Sequence, residues 1–274
     1  MTSQPDAAGD DQTTTVVAAG YDVVYAAVDK SPTLRRLWHE HAEGLDFPEE
    51  FGHISFTTLA DLRRTASELR LKPGDTLAGL GCGMAGPALW LARETGAHLI
   101  GVDLSAVAVE KAGARAEALG LGEQAEFHVG SFGATGLGDG SVDGATSEDA
   151  LQYAPDKGAA MREIARILRP GGRFVFTAFE LDAARVAAMP VLSADPVEDY
   201  RSCLAEAGFD VETYEEIDGW PEPTTVTYSS VIAARDELVQ EMGEVAVTSL
   251  LMEMTMTVEG RPYRRRVLAA ATRR

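Results

Sequence analysis

The feature that most constrains this chain is an alternation beginning at Thr76, in which short apolar runs are each followed by a stretch of helical periodicity. The runs are 76–80, 98–103 (HLIGVD), 124–129 (QAEFHV), 142–147 (VDGATS) and 173–179 (RFVFTAF). Between them lie segments such as SAVAVEKAGARAEALG, in which Ser105 is placed to cap a helix start. Parallel strands need a long crossover, usually a helix, so strand and helix in repetition point to a parallel sheet covered on both faces. Further on, DPVEDYRSCLAEAGF reads as a helix, DVETYEEI as a strand, 225–254 as a helical pair and RRRVLAAAT as a final strand. The expected fold is α/β: a doubly wound, mostly parallel seven-stranded sheet with a helical cap.

Residues 16–72 read as helical, with apolar residues three and four apart, until Lys72-Pro73-Gly74-Asp75 stops the pattern. Residues 1–15 lack the basic start and apolar core of a signal peptide and read as a disordered tail. The expected parts are therefore 1–15, the helical segment 16–72, the sheet core 73–180, and 181–274, which completes the sheet and carries the cap. With 24 basic against 43 acidic residues the net charge is −19, which opposes binding to a phosphate backbone. The one dense basic run, Arg261 to Arg266, reads as a solvated terminal strand. No apolar run reaches the ~18 residues a bilayer helix needs. Cys82 and Cys203 lack metal-ligand spacing, and His39 and His41, two residues apart, point to different helix faces. The expectation is a cytoplasmic protein with no metal, nucleic-acid or membrane partner and a small-molecule ligand.

That ligand is signalled by TLAGLGCGMAGPALWLA, Thr76 to Ala92, a strand running through Gly81, Gly83 and Gly86 into a helix. Glycines there let the backbone approach a ligand, and the helix start offers free N–H groups and a positive dipole end. Asp103 ends the second strand about twenty residues later, where one carboxylate can hold ribose hydroxyls. Together they point to a nucleoside. Gly81-x-Gly83-x-x-Gly86 also fits a dinucleotide fingerprint, and Tyr153 and Lys157 have the spacing of a dehydrogenase pair. Pro155 lies between that pair and interrupts the helix it would need.

LGCG, GVDLS, VDGATSEDALQYAPD and LRPGGRFVFT occur in order, each at a strand end, and ARILRPGGRF joins the helix to the fifth strand. In these stretches, and over about residues 16–272, the chain resembles the class I S-adenosylmethionine-dependent methyltransferases, of the actinobacterial small-molecule type. The resemblance implies the Rossmann-like methyltransferase fold and S-adenosylmethionine as cofactor. It implies that Gly81, Cys82 and Gly83 line the methionine end, that Asp103 holds the ribose, and that Leu104 and Phe132 sandwich the adenine, with Ser131 near its amine. Ser147 and Glu148 would lie beneath the sulfonium. Residues 16–72 would form a lid in which Tyr21, Trp38, His53 and Ser55 contact cofactor or substrate.

The chain also departs from the family pattern. It has Gly79 where an acid is common, Ala85 where glycine is common, and Ser131 where an acid often meets the adenine amine. A charge-assisted hydrogen bond contributes about 1.5–3 kcal/mol, so an acid restored at 79 is expected to tighten binding about tenfold. Gln152 and Tyr153 stand where relatives carry histidines facing the substrate, which leaves Asp149 to orient or deprotonate it, with Tyr153 beside it. The expected function is methyl transfer to a small molecule, a secondary metabolite. Alternatives are a methyltransferase-like cyclase or pericyclase that no longer transfers methyl, and a non-catalytic nucleoside-binding member. The run LLMEMTM reads as helix core or as adaptable pocket lining.

Overall fold

A computed structural model of the chain describes residues 7–186 and 195–274. Helix α1 (Ala7–Val28) leads to α2 (Pro32–Trp38), whose first turn is capped by the Ser31 hydroxyl accepting from the Leu34 amide. A π-turn over His39–Glu43 follows, and α3 (Leu59–Leu69) opens with a capping box of Thr58 and Asp61. The alternating region gives β1 (Thr76–Leu80), α4 (Gly86–Thr95), β2 (His98–Asp103), α5 (Ala106–Ala118), β3 (Ala125–Val129) and β4 (Val142–Glu148). It continues through α6 (Lys157–Ile167) and β5 (Leu168–Leu181) to the short α7 (Ala183–Val186). Then come α8 (Tyr200–Glu206), β6 (Phe209–Glu216), α9 (Pro221–Ala233), α10 (Arg235–Met242), α11 (Glu244–Gly260) and β7 (Arg264–Arg273).

The sheet order is β3-β2-β1-β4-β5-β7-β6, with β7 antiparallel to both β5 and β6. The order reverses between β1 and β4, so the crevice beyond their carboxyl ends is where such a sheet binds ligands. One face packs Leu80, Val102, Phe174 and Phe176 beneath Met161 and Ile164 of α6 and Leu204 of α8. The other face packs Leu77, Leu99 and Val175 against Leu62 of α3 and Leu89 and Leu91 of α4. A third cluster lies outside the sheet: Val24, Trp38 and Phe56 from the N-terminal segment pack with Tyr228, Val231, Leu238 and Leu250 from α9, α10 and α11. The cap is thus built jointly by the two ends of the chain.

Several expectations change. Helix α1 starts at Ala7, inside the stretch 1–15 read as a tail. Helix α3, at the end of 16–72, lies on the sheet because its apolar stripe buries against β1 and α4. The region 225–254 spans parts of three helices, divided at Ala234 and at Gly243, whose φ of +87° ends α10. The basic run is not a solvated strand: Arg266 is 1% exposed. Tyr153 sits in a 3₁₀ turn (Leu151–Tyr153) and α6 begins after its cap Asp156, so Tyr153 and Lys157 do not share a helix.

Candidate active site

The turn between β1 and α4 is shaped by its glycines. Gly81 (φ +62°) and Gly83 (φ +53°) are left-handed, a region in which L side chains are strained. A Cβ on Gly81 would come within 2.7 Å of the Ala150 methyl and 2.9 Å of the Phe132 ring, and one on Gly83 within 2.7 Å of the Tyr25 hydroxyl. The Gly83 amide donates to Asp103 Oδ2 at 2.7 Å and the Ser105 amide to Oδ1 at 2.9 Å. A carboxylate has about four acceptor sites, so capacity remains for a ribose hydroxyl. Burial raises the pKa of Asp103, against the lowering effect of those amides. Cys82 lies in the same turn, and burial, with Asp103 adding to it, keeps its thiol protonated. Ser131 pairs with Ala134 in an isolated bridge beside Phe132.

A Cβ on Gly79 would lie 3.0 Å from Ala88 Cβ of α4, 3.4 Å from Leu99 Cδ1 and 3.7 Å from Cys82 Cβ of the turn. An acid at 79 therefore has to displace Ala88 by a few tenths of an ångström before it can act on the ligand. Ala85 caps α4 with φ +59°, a left-handed alanine where glycine would be unstrained.

Over the turn lies α1. Asp22 accepts from the Ser105 hydroxyl at 2.5 Å and the Val107 amide at 3.4 Å, latching α1 to the start of α5 next to Asp103. Tyr21 and Tyr25, one turn apart, project together: their rings stack at 5.9 Å, and Tyr21 meets the Tyr153 ring edge-on at 6.1 Å. The Tyr153 hydroxyl donates to Glu253 Oε1 of α11 at 2.6 Å. A row Tyr25–Tyr21–Tyr153–Glu253 thus runs from the glycine turn to the cap. Burial, reinforced by Glu253, raises the pKa of Tyr21 and Tyr153 well above the ordinary value, and burial raises that of Glu253.

The end of β4 corrects two expectations. Strand residues alternate faces, so Ser147 and Glu148 point to opposite sides at the end of β4. The Ser147 hydroxyl is buried with no partner among the described residues, whereas Glu148 turns to Thr146 Oγ1 (2.9 Å) and Thr177 Oγ1 (3.0 Å). Burial raises the Glu148 pKa to about 7 despite those two donors. Asp149 is no free base. Its Oδ1 pairs with Arg266 Nε at 2.8 Å, and its Oδ2 accepts from the Phe56 amide at 3.1 Å and Thr57 Oγ1 at 3.5 Å. Arg266 is held in turn by Asp61 at 2.9 Å. Asp149 therefore ties the N-terminal segment to β7, and its charge is spent on a buried guanidinium.

The other lid residues divide between packing and polar contacts. Trp38 packs on Phe56 and Tyr228, and its indole N–H is satisfied by the Ser55 carbonyl at 2.9 Å. His53 Nδ1 accepts from the Ser55 amide at 3.0 Å, and Nε2 is buried without a partner. Burial lowers the His53 pKa to about 4, so the ring is neutral. Gln152 donates to the Asp149 carbonyl and leaves Oε1 buried and unpaired. Tyr25, Tyr228, Glu253, Arg264 and Arg266 were not anticipated. The signals available were Tyr25 one helical turn after Tyr21 and a lone acid inside LLMEMTM.

A family model described as "Methyltransferase domain" matches residues 78–176, from β1 through β5. The chain is 27% identical over 219 residues to 27-O-demethylrifamycin SV methyltransferase of Amycolatopsis mediterranei, covering 76% of this chain and 78% of that protein. It is 30% identical over 190 residues to methyltransferase GfsG of Streptomyces halstedii, covering 65% of this chain and 67% of that one. It belongs to the class I S-adenosylmethionine-dependent methyltransferase family. Among solved structures, the [4+2]-cyclase SpnF shares the fold, with a TM-score of 0.74, 22% identity and 94% of each chain covered.

The enzyme's cofactor is S-adenosylmethionine, and the site fits it. The glycine turn leaves no room for side chains at 81 and 83. Asp103 stands at the end of β2, and the unpaired polar atoms of Ser147 and Gln152 lie at the end of β4 and in the turn after it.

Proposed function

We propose that this methyltransferase acts on a small, ring-bearing secondary metabolite and presents its accepting atom beside Tyr153. The observation that carries this reading is the buried row from Gly83 through Tyr25 and Tyr21 to the Tyr153–Glu253 pair. S-adenosylmethionine supplies an electrophilic methyl group. Asp103 accepts from its ribose, Gly81 and Gly83 admit its methionine end, and Phe132 with Leu104 flanks its base. Ser147 and Gln152 offer polar atoms that the protein leaves unpaired. The aromatic lid excludes water and holds an apolar substrate in line, the main demand of attack on an alkyl carbon. Tyr153, fixed by Glu253, orients the accepting group. With Asp149 engaged by Arg266, Glu253 is the carboxyl placed to accept a proton if the acceptor carries one.

The similarity to 27-O-demethylrifamycin SV methyltransferase favours hydroxylated compounds related to 27-O-demethylrifamycin SV as the first panel to test. Enzyme incubated with such a panel and methyl-labelled S-adenosylmethionine should give labelled product one methyl heavier. An isomer of unchanged mass would replace this reading with ring formation on the same scaffold. Failure of S-adenosylhomocysteine to bind, or equal binding by Asp103→Ala, would refute the site itself.

A further inference from the structure

We propose that Arg264 is a binding residue for a carboxylate on the substrate, so that the enzyme's preferred substrates are acids with an apolar body. The inference rests on the methyltransferase reading for the identity of the pocket, but its chemistry comes from β7.

Residues 264 and 266 of a strand share a face, while 265 points the other way. Arg265 turns to Glu180 and Glu216 at 3.1 and 3.3 Å. Arg266 is fully paired with Asp149 and Asp61. Arg264 differs from both: its Nε and Nη2 are buried with no hydrogen-bond partner among the described residues. Its guanidinium stands 5.7 Å from the Phe179 ring, and the polar groups that act on it are Tyr153, Tyr228 and Glu253. Glu253 is engaged by the Tyr153 hydroxyl and makes no ion pair with Arg264 among the described residues. Two of its three nitrogens are thus cut off from water and partners, which is costly to the fold, and the Phe179 face offsets only a fraction of that cost. Its fork of N–H donors matches a carboxylate in bidentate geometry.

Arg264 also lines a cleft of about 460 Å³, whose apolar walls include Trp220, Val226 and Pro262. That volume suits a small aromatic or alicyclic body. Glu222 lines the same cleft, and so does Glu216, which is paired with Arg265. Arg264 is the cation of a cleft whose walls are Trp220, Val226 and Pro262, with Glu216 held by Arg265 and Glu222 at the helix start. A neutral acceptor could take one of these N–H groups, but without the charge assistance and the two-oxygen match of a carboxylate.

The test uses 2-naphthoate and its neutral isostere 2-naphthamide as probes, titrated calorimetrically into the full chain with and without S-adenosylhomocysteine. The wild type should prefer naphthoate by about tenfold or more, the worth of one charge-assisted contact. Arg264→Met should abolish the preference while keeping affinity for the amide and for S-adenosylhomocysteine. Arg264→Lys should retain part of the preference. The ligand-free Arg264→Met variant should melt at or above wild type, because an unpaired buried charge has been removed. No naphthoate binding, equal affinity for the two probes, a preference that survives Arg264→Met, or a variant that melts lower would each overturn the assignment. Loss of S-adenosylhomocysteine binding in the wild type would instead sink the methyltransferase reading, and the naphthoate comparison without it would still decide Arg264.

Discussion

Asp149→Asn separates a structural carboxylate from a catalytic one. In the wild type Oδ1 takes the Arg266 Nε–H at 2.8 Å and Oδ2 takes the Phe56 N–H at 3.1 Å. Asparagine preserves the first contact through its carbonyl but turns an NH₂ group toward the Phe56 amide, donor against donor. The unsatisfied buried amide costs about 1–3 kcal/mol, and converting a charge-assisted bond to a neutral one costs about 1 more. Asp61 still neutralises Arg266, so the full 3–5 kcal/mol of a broken buried pair, as an approximate upper bound, is not reached. Residue 149 has φ +53°, which asparagine tolerates as well as aspartate, so no backbone term is added. The expected loss is about 2–4 kcal/mol. Denaturant unfolding of the two proteins checks it, as a lower midpoint at unchanged slope. A general base would behave differently, with turnover falling about 10²–10⁴-fold at full stability. Stability within about 0.5 kcal/mol of wild type would refute the reasoning and return Asp149 to the chemistry.

Gly79→Asp should destabilise the fold by about 2 kcal/mol or more and leave S-adenosylhomocysteine affinity no tighter, since its Cβ would crowd Ala88 and Leu99; calorimetric tightening would contradict the packing. Asp22→Ala should free α1, seen as faster amide hydrogen exchange there and faster release of S-adenosylhomocysteine, with α4 unaffected; unchanged exchange would mean that packing alone holds the lid. Glu148 carries a pH signature: its folded pKa of about 7 lies above the ordinary 4.5, so between those values the native state binds the extra proton and stability falls as pH rises. The slope is at most about 1.4 kcal/mol per unit, and Glu148→Gln lacks it, so the variant should gain on wild type from pH 5 to 8. His53, lowered to about 4, gives the opposite slope in both proteins, so the difference between them is the measurement; a constant difference would refute the assignment.

What the sequence disclosed followed the reach of local rules. Gly81, Gly83 and Asp103 were legible because a strand, a turn and a strand end fix their backbone positions within a single βαβ unit. The three-helix cap was harder, since Ala234 breaks the helix without any proline or glycine to announce it. The place of Asp149 at the end of β4 is legible, but its ion pair is not, because Arg266 lies 117 residues away in sequence and no local pattern links them. Strand alternation separates Ser147 from Glu148, and the same alternation divides Arg264 and Arg266 from Arg265. Glu253 was hidden by composition: one acid in a methionine-rich helix looks like core until the fold brings Tyr153 against it.

The position of β7 has a consequence for how the enzyme comes into being. It follows β6 in the chain yet lies between β5 and β6 in the sheet. As the polypeptide leaves the ribosome, β1 to β5 can pair in order and form the glycine turn with Asp103, while β5 keeps an open edge and β6 has nowhere to dock. Arg264 and Arg266 arrive only with β7, so the glycine turn and Asp103 are both synthesised before the arginine that holds Asp149. A nascent chain stalled before residue 264 would contain the glycine turn and Asp103, but not the strut on Asp149.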